Sequence, residues 1–299
     1  MNNVEKNPSY TELAPEIAPF YDKDTNTFSY VVRDPSSPAC AVIDSVLDFD
    51  YPSGAIHYYG ADAIINYIKE HQLTLEWLIE THVHADHLSA APYIQEQLGG
   101  KLAIGEHVIT VQNTFGKIFN EGTEFERNGS QFDHLFTDGE EYSIGNLKAK
   151  TIHTPGHTPA CMVHIIGDAA FVGDTIFMPD GGTARADFPG GSAEVLFDSI
   201  QKVLSLPAQT RLFMCHDYCP EGRELEYQTS ISEELEKNIH VNKKISKKEF
   251  VAMREKRDKT LDMPRLILPS LQVNMRAGHF PEPENNDLVY LKIPVNAFS

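Results

Sequence analysis

The densest group of potential metal ligands in the sequence is the stretch from Thr81 to His87, which reads T-H-V-H-A-D-H. It follows the apolar run at 77–79 and precedes a segment with apolar residues at helical spacing, so the pattern predicts a strand, a turn and a helix. Imidazole nitrogens and carboxylate oxygens are ligands for zinc and iron. The spacing H-x-H-x-D-H therefore predicts a metal site, and the alternative is a histidine-rich polar loop without a metal.

Three further residues of the same chemical kind each follow a strand-like run. They are His157 in T-P-G-H-T, Asp174 in G-D-T and His216 in M-C-H-D-Y. A single histidine at a strand end is usually an ordinary surface or core residue. Together with the first motif, the three complete a set of histidine and carboxylate ligands, so we expect all four strand ends to meet at one metal site.

The elements that position these residues divide into two halves. In the first half we predict strands at 28–32, 39–44 and before His82, with helices at 61–70, 90–98 and 108–119. In the second half we predict strands at 147–152, 162–166, 169–172 and 211–215, with a helix capped by Ser192. Two sheets packed face to face, each covered by helices on its outer side, would bury all of these apolar faces.

The chain changes character after about residue 220. One charged helix is predicted at 230–238, and a second begins at Ser246, with Glu249 completing a capping box. The second helix is basic, which indicates either a solvated face or an anion site. The segment 266–295 contains prolines and short apolar pieces and is interpreted as an appended strap. We therefore predict a metal-binding domain over residues 1–220 and a C-terminal extension over 221–299 that packs on it.

Composition limits the possible partners. The net charge of -18 argues against nucleic acid or an anionic membrane surface as a partner.

The 4 cysteines are too scattered for a disulfide framework. Residues 1–8 lack the features of a signal or transit peptide, and no run approaches the roughly 20 apolar residues of a membrane span. The expected location is the cytoplasm.

The four motifs together resemble the metallo-β-lactamase superfamily over residues 28–219. The resemblance implies an α/β (α+β) fold, a four-layer αββα sandwich with the metal site at one edge. In binuclear members of that family, the ligands of one metal would correspond to His82, His84 and His157. Those of the other would correspond to Asp86, His87 and His216, and Asp174 would bridge the two metals.

Two further segments are similar to one subfamily, the persulfide dioxygenases. The segment 181–188 reads G-G-T-A-R-A-D-F, and the strap at 268–278 reads L-P-S-L-Q-V-N-M-R-A-G. This resemblance implies a single Fe(II) held by His82, His157 and Asp174. Two histidines and one carboxylate leave the other coordination positions of such an ion open. The remaining residues, His84, Asp86, His87 and His216, would then support ligands and waters around one iron.

The same resemblance implies a reaction in which glutathione persulfide and O₂ give sulfite and glutathione. It also implies a homodimer, because members of that family are often dimers. Because glutathione carries carboxylates, we expect basic or polar side chains to bind it. The candidates are Arg185, Tyr218, Arg223 and Arg276. Arg185 has an alternative as an ion-pair partner of Asp187.

Two other functions fit parts of the sequence. A thioester hydrolase similar to glyoxalase II would use two Zn²⁺ ions to activate a hydroxide. A metal or sulfide sensor without enzymatic activity could use the same fold. The full ligand set and the Arg-Asp-Phe segment argue against a sensor, and the missing secretion signal argues against a lactamase.

Overall fold

A computed structural model of the chain describes residues 14–297. The expectation that 1–8 carries no targeting segment lies outside these residues. In the described part, the strands form two large sheets and one small sheet. The four motifs that contain the candidate ligands all follow strands of the two large sheets, as their sequence contexts predict.

The first large sheet is mixed. Strands β1, β2 and β3 pair antiparallel, and β6, β8 and β9 continue from β3 in parallel. Their bounds are β1 Glu16–Asp22, β2 Thr27–Arg33, β3 Ala39–Ile43, β6 Thr74–Ile79, β8 Lys101–Gly105 and β9 His134–Phe136. A small sheet lies beside it, formed by β4 Val46–Asp50, β5 Ala55–His57 and β7 Leu88–Ser89.

The second large sheet follows the chain order from β10 to β15, and only the β13–β14 pair is parallel. Its strands are β10 Glu141–Ile144, β11 Leu147–His153, β12 Met162–Ile166, β13 Ala169–Phe171, β14 Arg211–Phe213 and β15 Gln228–Ser230. The parallel pair requires a crossover, and the helix capped by Ser192 supplies it.

The helices cover the outer faces of the two large sheets. Their bounds are α1 Tyr59–Glu70, α2 Ala91–Leu98, α3 Val108–Ile118, α4 Ala193–Leu204, α5 Ile231–Lys237, α6 Lys247–Asp258 and α7 Ile267–Asn274. The capping box predicted at Ser246 and Glu249 is present at the start of α6. Among residues 14–297, no helix is long and apolar enough to cross a membrane.

Three apolar clusters define the layers. One lies between the large sheets and joins residues such as Tyr30, Phe136 and Phe171. A second packs α1, α2, α3 and α7 on the first sheet, and a third packs α4, α5 and α6 on the second sheet. The prediction of two facing sheets covered by helices on both sides is confirmed.

The extension after residue 220 is closely joined to the sandwich. Strand β15 pairs with β14, and α6 packs beside α4 through Phe250 and Phe197. The strap contains a helix, α7, that its prolines did not suggest. Pro269 is compatible with this helix because it lies in the first turn, where a backbone N–H has no partner within the helix.

Candidate metal centre

Four chain segments bring their side chains to one edge of the sandwich. The turn after β6 carries His82, the segment after β11 carries His157, and those after β13 and β14 carry Asp174 and His216. Gly173 permits the close approach of two of these segments. Its φ is +49°, and a Cβ there would lie 2.6 Å from Oγ1 of Thr81, so a side chain cannot fit.

The ligand atoms of His82, His157 and Asp174 lie within 4.8 Å of one another. Oδ2 of Asp174 is 3.5 Å from Nε2 of His157 and 4.0 Å from Nε2 of His82. The other oxygen of Asp174, Oδ1, is 3.2 Å from Nε2 of His216, which is 3.3 Å from Oδ2 of Asp86. Asp174 therefore stands between two groups of ligands.

The second group is also compact. One ligand atom from each of His84, Asp86 and His87 lies within 4.8 Å of the others, and His216 adjoins this group through Asp86. The structure thus brings together all seven residues that the motifs predicted near the metal.

The unpaired atoms of these residues fit a cation. Buried polar atoms in proteins nearly always have a hydrogen-bond partner. In the described part of the chain, six buried atoms of this site have none: Nε2 of His82, Nδ1 of His84, Oδ2 of Asp86, Nε2 of His87, Oδ1 of Asp174 and Nε2 of His216. Nitrogen and carboxylate lone pairs at one point are a donor set for zinc or iron.

The second ring nitrogen of each histidine has a partner that orients the ring. Nε2 of His84 lies 2.9 Å from Oδ1 of Asp44, and Nδ1 of His82 lies 3.0 Å from Oγ1 of Thr81. Nδ1 of His157 lies 2.8 Å from the carbonyl oxygen of Arg185. Such partners select the tautomer that leaves the other nitrogen available for a metal.

At His82, His87 and Asp174 the environment favours the protonation state that a metal ligand has. At His84 and His216 it does not: against the effect of burial, Asp44 holds the pKa of His84, and Tyr218 that of His216, well above the usual range. Burial holds the pKa of His82 well below its usual range and lowers the pKa of His87 to about 4, so both imidazoles are neutral near pH 7. Burial alone would raise the pKa of Asp174, but the neighbouring His216 holds it below the usual range. Neutral imidazoles and an ionised carboxylate are the ligand forms of these groups.

A cavity of about 370 Å³ opens onto Asp86, His157 and Asp174. Two of the predicted substrate residues, Arg185 and Tyr218, line it. The guanidinium of Arg185 forms the alternative ion pair with Asp187, at 2.6 Å, and also donates to the carbonyl oxygen of Asp262. It therefore faces the cavity as an already paired cation.

The other two predicted substrate residues are not among those that line this cavity. Arg223 forms ion pairs with Asp180 and Asp217. Arg276 pairs with Glu121 at 2.5 Å and lies over the ring of Phe125. Asp180 and Glu121 are distant from these arginines in the sequence, so the prediction of a substrate contact depended on residue type alone.

Four other residues at the site were missed. Arg257 and Arg265 line the cavity, and neither forms an ion pair within residues 14–297. Asp44 holds the first motif, and Asn274 of α7 donates to the carbonyl oxygens of His84 and His87 at 2.9 and 2.7 Å. The basic composition of α6 indicated that Arg257 could bind an anion. No local sequence pattern indicated that Asn274 would contact the site.

Comparison with known proteins extends this description. A protein of Burkholderia pseudomallei named a probable metallo-hydrolase is 54% identical, over 93% of this chain and 98% of its own length. Glyoxylase B2 of Dictyostelium discoideum is 47% identical, over 94% of this chain and 97% of its own length. The mitochondrial persulfide dioxygenase ETHE1 of Bos taurus is 27% identical, over 86% of this chain and 87% of its own length.

The fold is shared with solved structures. The crystal structure of ETHE1 from Myxococcus xanthus superposes with a TM-score of 0.70 at 28% identity, covering 88% of this chain and all of that one. The family model described as metallo-beta-lactamase superfamily matches residues 22–216, which include all seven candidate ligands. The chain therefore belongs to the metallo-beta-lactamase superfamily.

Proposed function

We propose that the chain is a persulfide dioxygenase that uses one Fe(II) ion and converts glutathione persulfide and O₂ to sulfite and glutathione. The observation that carries this proposal is the cluster of His82, His157 and Asp174, whose ligand atoms lie within 4.8 Å of one another. Two histidines and one carboxylate are the ligand set of non-haem iron oxygenases. The relation to a persulfide dioxygenase of Bos taurus supports the same reaction.

The reaction balances without a further reductant. Glutathione persulfide, O₂ and one water give glutathione, sulfite and two protons. The two sulfurs together lose four electrons to O₂, and the O–O bond breaks as two S–O bonds form. The oxygen of water forms the third S–O bond as the S–S bond breaks, and the glutathione sulfur leaves as the thiol. When bound, Fe(II) would supply adjacent open positions for the persulfide sulfur and O₂.

The chain's own residues hold the reactants. His82, as a neutral imidazole, and Asp174, as an anion, would hold the metal together with His157. The rings of Phe177 and Phe188 line the cavity and give it an apolar wall. On this proposal, His84, Asp86, His87 and His216 support the site without binding a second metal.

The acidic groups of glutathione require cations, and the cavity offers two without acidic partners. Arg257 and Arg265 are exposed, line the cavity and form no ion pair with another described residue. Free guanidinium groups bind carboxylates with paired, charge-assisted hydrogen bonds. We therefore assign the glutathione carboxylates to these two arginines, in place of Arg223 and Arg276.

A second candidate function is a thioester hydrolase with two zinc ions. The observation that favours it is the second compact group of candidate ligands, His84, Asp86 and His87, with buried atoms that lack hydrogen-bond partners. The relative named Glyoxylase B2 is consistent with it. In that reaction, two zinc ions would supply an activated hydroxide for attack on a thioester carbonyl.

One experiment separates the two reactions. The metal-free chain is loaded with Fe²⁺ or with Zn²⁺, and each form is assayed with glutathione persulfide under O₂ and with S-lactoylglutathione. We expect O₂ consumption and sulfite from the iron form alone. Thioester hydrolysis by the zinc form, with no O₂ consumption by the iron form, would instead support the hydrolase.

A further inference from the structure

The segment 183–187 lies between the metal centre and the C-terminal extension, and one of its peptide groups faces both. The carbonyl oxygen of Arg185 accepts a hydrogen bond from Nδ1 of His157 at 2.8 Å. The N–H of Ala186 belongs to the same peptide group and donates to Oδ2 of Asp258 at 3.0 Å. A ligand of the candidate metal site and a carboxylate of α6 thus hold one peptide plane from opposite sides.

Asp258 is itself fixed by a buried arginine of the same helix. Nε and Nη2 of Arg254 lie 2.8 and 2.7 Å from Oδ1 of Asp258. A third nitrogen of Arg254, Nη1, donates to the carbonyl oxygen of Thr183 at 2.9 Å. The side chains of Arg254 and Asp258 are only 1% and 5% exposed, so water does not compete for these hydrogen bonds.

Stability alone does not account for an ion pair at this depth. Two charges lose their hydration on burial, and apolar side chains of similar size often stabilise a core equally well. What an apolar pair cannot supply is an acceptor for the N–H of Ala186 and a donor for the carbonyl of Thr183. The hydrogen bonds to the 183–187 segment are therefore the specific contribution of Arg254 and Asp258.

We propose that Arg254 and Asp258 are positioning residues for His157, acting through the Arg185–Ala186 peptide group. A carboxylate that accepts from the N–H of a peptide polarises that peptide and strengthens the acceptor at its carbonyl oxygen. A stronger acceptor for Nδ1–H of His157 orients the ring and makes Nε2 a better ligand. The C-terminal extension thereby sets the metal affinity of a histidine about 100 residues away in sequence.

The proposal rests on the ligand role proposed for His157 and applies equally to the iron and zinc reactions. Its test is the affinity for Co²⁺, whose visible absorption reports the geometry of its ligands. The first variant, Arg254→Met with Asp258→Leu, removes the hydrogen bonds and keeps the buried volume. The second variant, Asp258→Asn, retains one acceptor oxygen. Lys256→Met, an exposed cation on the same helix, is the matched control.

We expect the double variant to bind Co²⁺ roughly tenfold more weakly, with a changed absorption spectrum, and to melt at a lower temperature because the N–H of Ala186 and the carbonyl of Thr183 lose their partners. Asp258→Asn should show a smaller loss of affinity and carries the test if the double variant does not fold. Unchanged affinity and spectrum in a folded variant would overturn the proposal. A His157→Ala variant identifies the cause, because unchanged affinity in that variant means that His157 is not a ligand.

Discussion

The carboxylate of Asp44 orients two histidines of the candidate metal centre. Its Oδ1 lies 2.9 Å from Nε2 of His84, and its Oδ2 accepts from Oγ1 of Thr81, which is 3.0 Å from Nδ1 of His82. Asp44 follows β3, a strand of the first sheet beside β6. The pairing of β3 with β6 therefore determines how the first motif presents its nitrogens.

We predict that Asp44→Asn lowers metal affinity by roughly 10–100-fold, as for other groups that orient metal-binding histidines. The amide offers one acceptor oxygen where the carboxylate offers two, so His84 and Thr81 can no longer both be satisfied. Isothermal titration with Zn²⁺ measures the change. Asp50→Asn, an exposed acid on the neighbouring β4, is the control. Equal affinities for the two variants would contradict this role.

Asn274 should contribute both to stability and to metal binding. Its side chain donates to the carbonyl oxygens of His84 and His87 and accepts from the N–H of Ser89 at 2.8 Å. Asn274→Ala leaves buried backbone groups unpaired, so we expect a loss of about 1–3 kcal/mol in the free energy of unfolding. Urea denaturation of the metal-free chain measures it. Asn286→Ala, on the exposed part of the strap, should change stability by less than about 0.5 kcal/mol.

Arg257 and Arg265 should affect substrate binding more than the chemical step. We expect Arg257→Met and Arg265→Met each to raise KM for glutathione persulfide roughly tenfold and to change kcat by less than about twofold, since these contacts form before the transition state. Steady-state O₂ uptake gives both constants, with Lys256→Met, on the same helix as Arg257, as the control. An unchanged KM in both arginine variants would exclude the assigned carboxylate site.

Acid should destabilise the extension through His240. Burial, reinforced by Arg254 and Arg257, lowers its pKa to about 4, and Nδ1 accepts from the N–H of Thr183. The unfolded chain takes up this proton near pH 6.5 and the folded chain only near pH 4, so stability falls as pH falls through this window. The loss should reach about 2 kcal/mol by pH 5.

The comparison of His240→Gln with His57→Gln tests this pH dependence. His57 is exposed, so its replacement should leave the slope of unfolding free energy against pH unchanged between pH 7 and 5. His240→Gln should make that slope shallower. Identical slopes for the two variants would show that His240 does not carry the effect.

The sandwich and the positions of the seven candidate ligands were predictable because both depend on local patterns. Apolar strands end at short motifs, and parallel or facing strands bring those ends to one edge. The contribution of the extension was not predictable, since Asn274 contacts His84 across 190 residues. The same limit applies to Arg276, because its pairing with Glu121 joins residues that are far apart in the sequence.

The most direct test of the proposed function counts bound metal and consumed O₂ in the same preparation. Metal analysis of the active protein is combined with O₂ and sulfite measurements during turnover of glutathione persulfide. The account predicts one iron ion per chain and one O₂ consumed for each sulfite formed. Two zinc ions per chain in the active form, with thioester hydrolysis and no O₂ consumption, would contradict it.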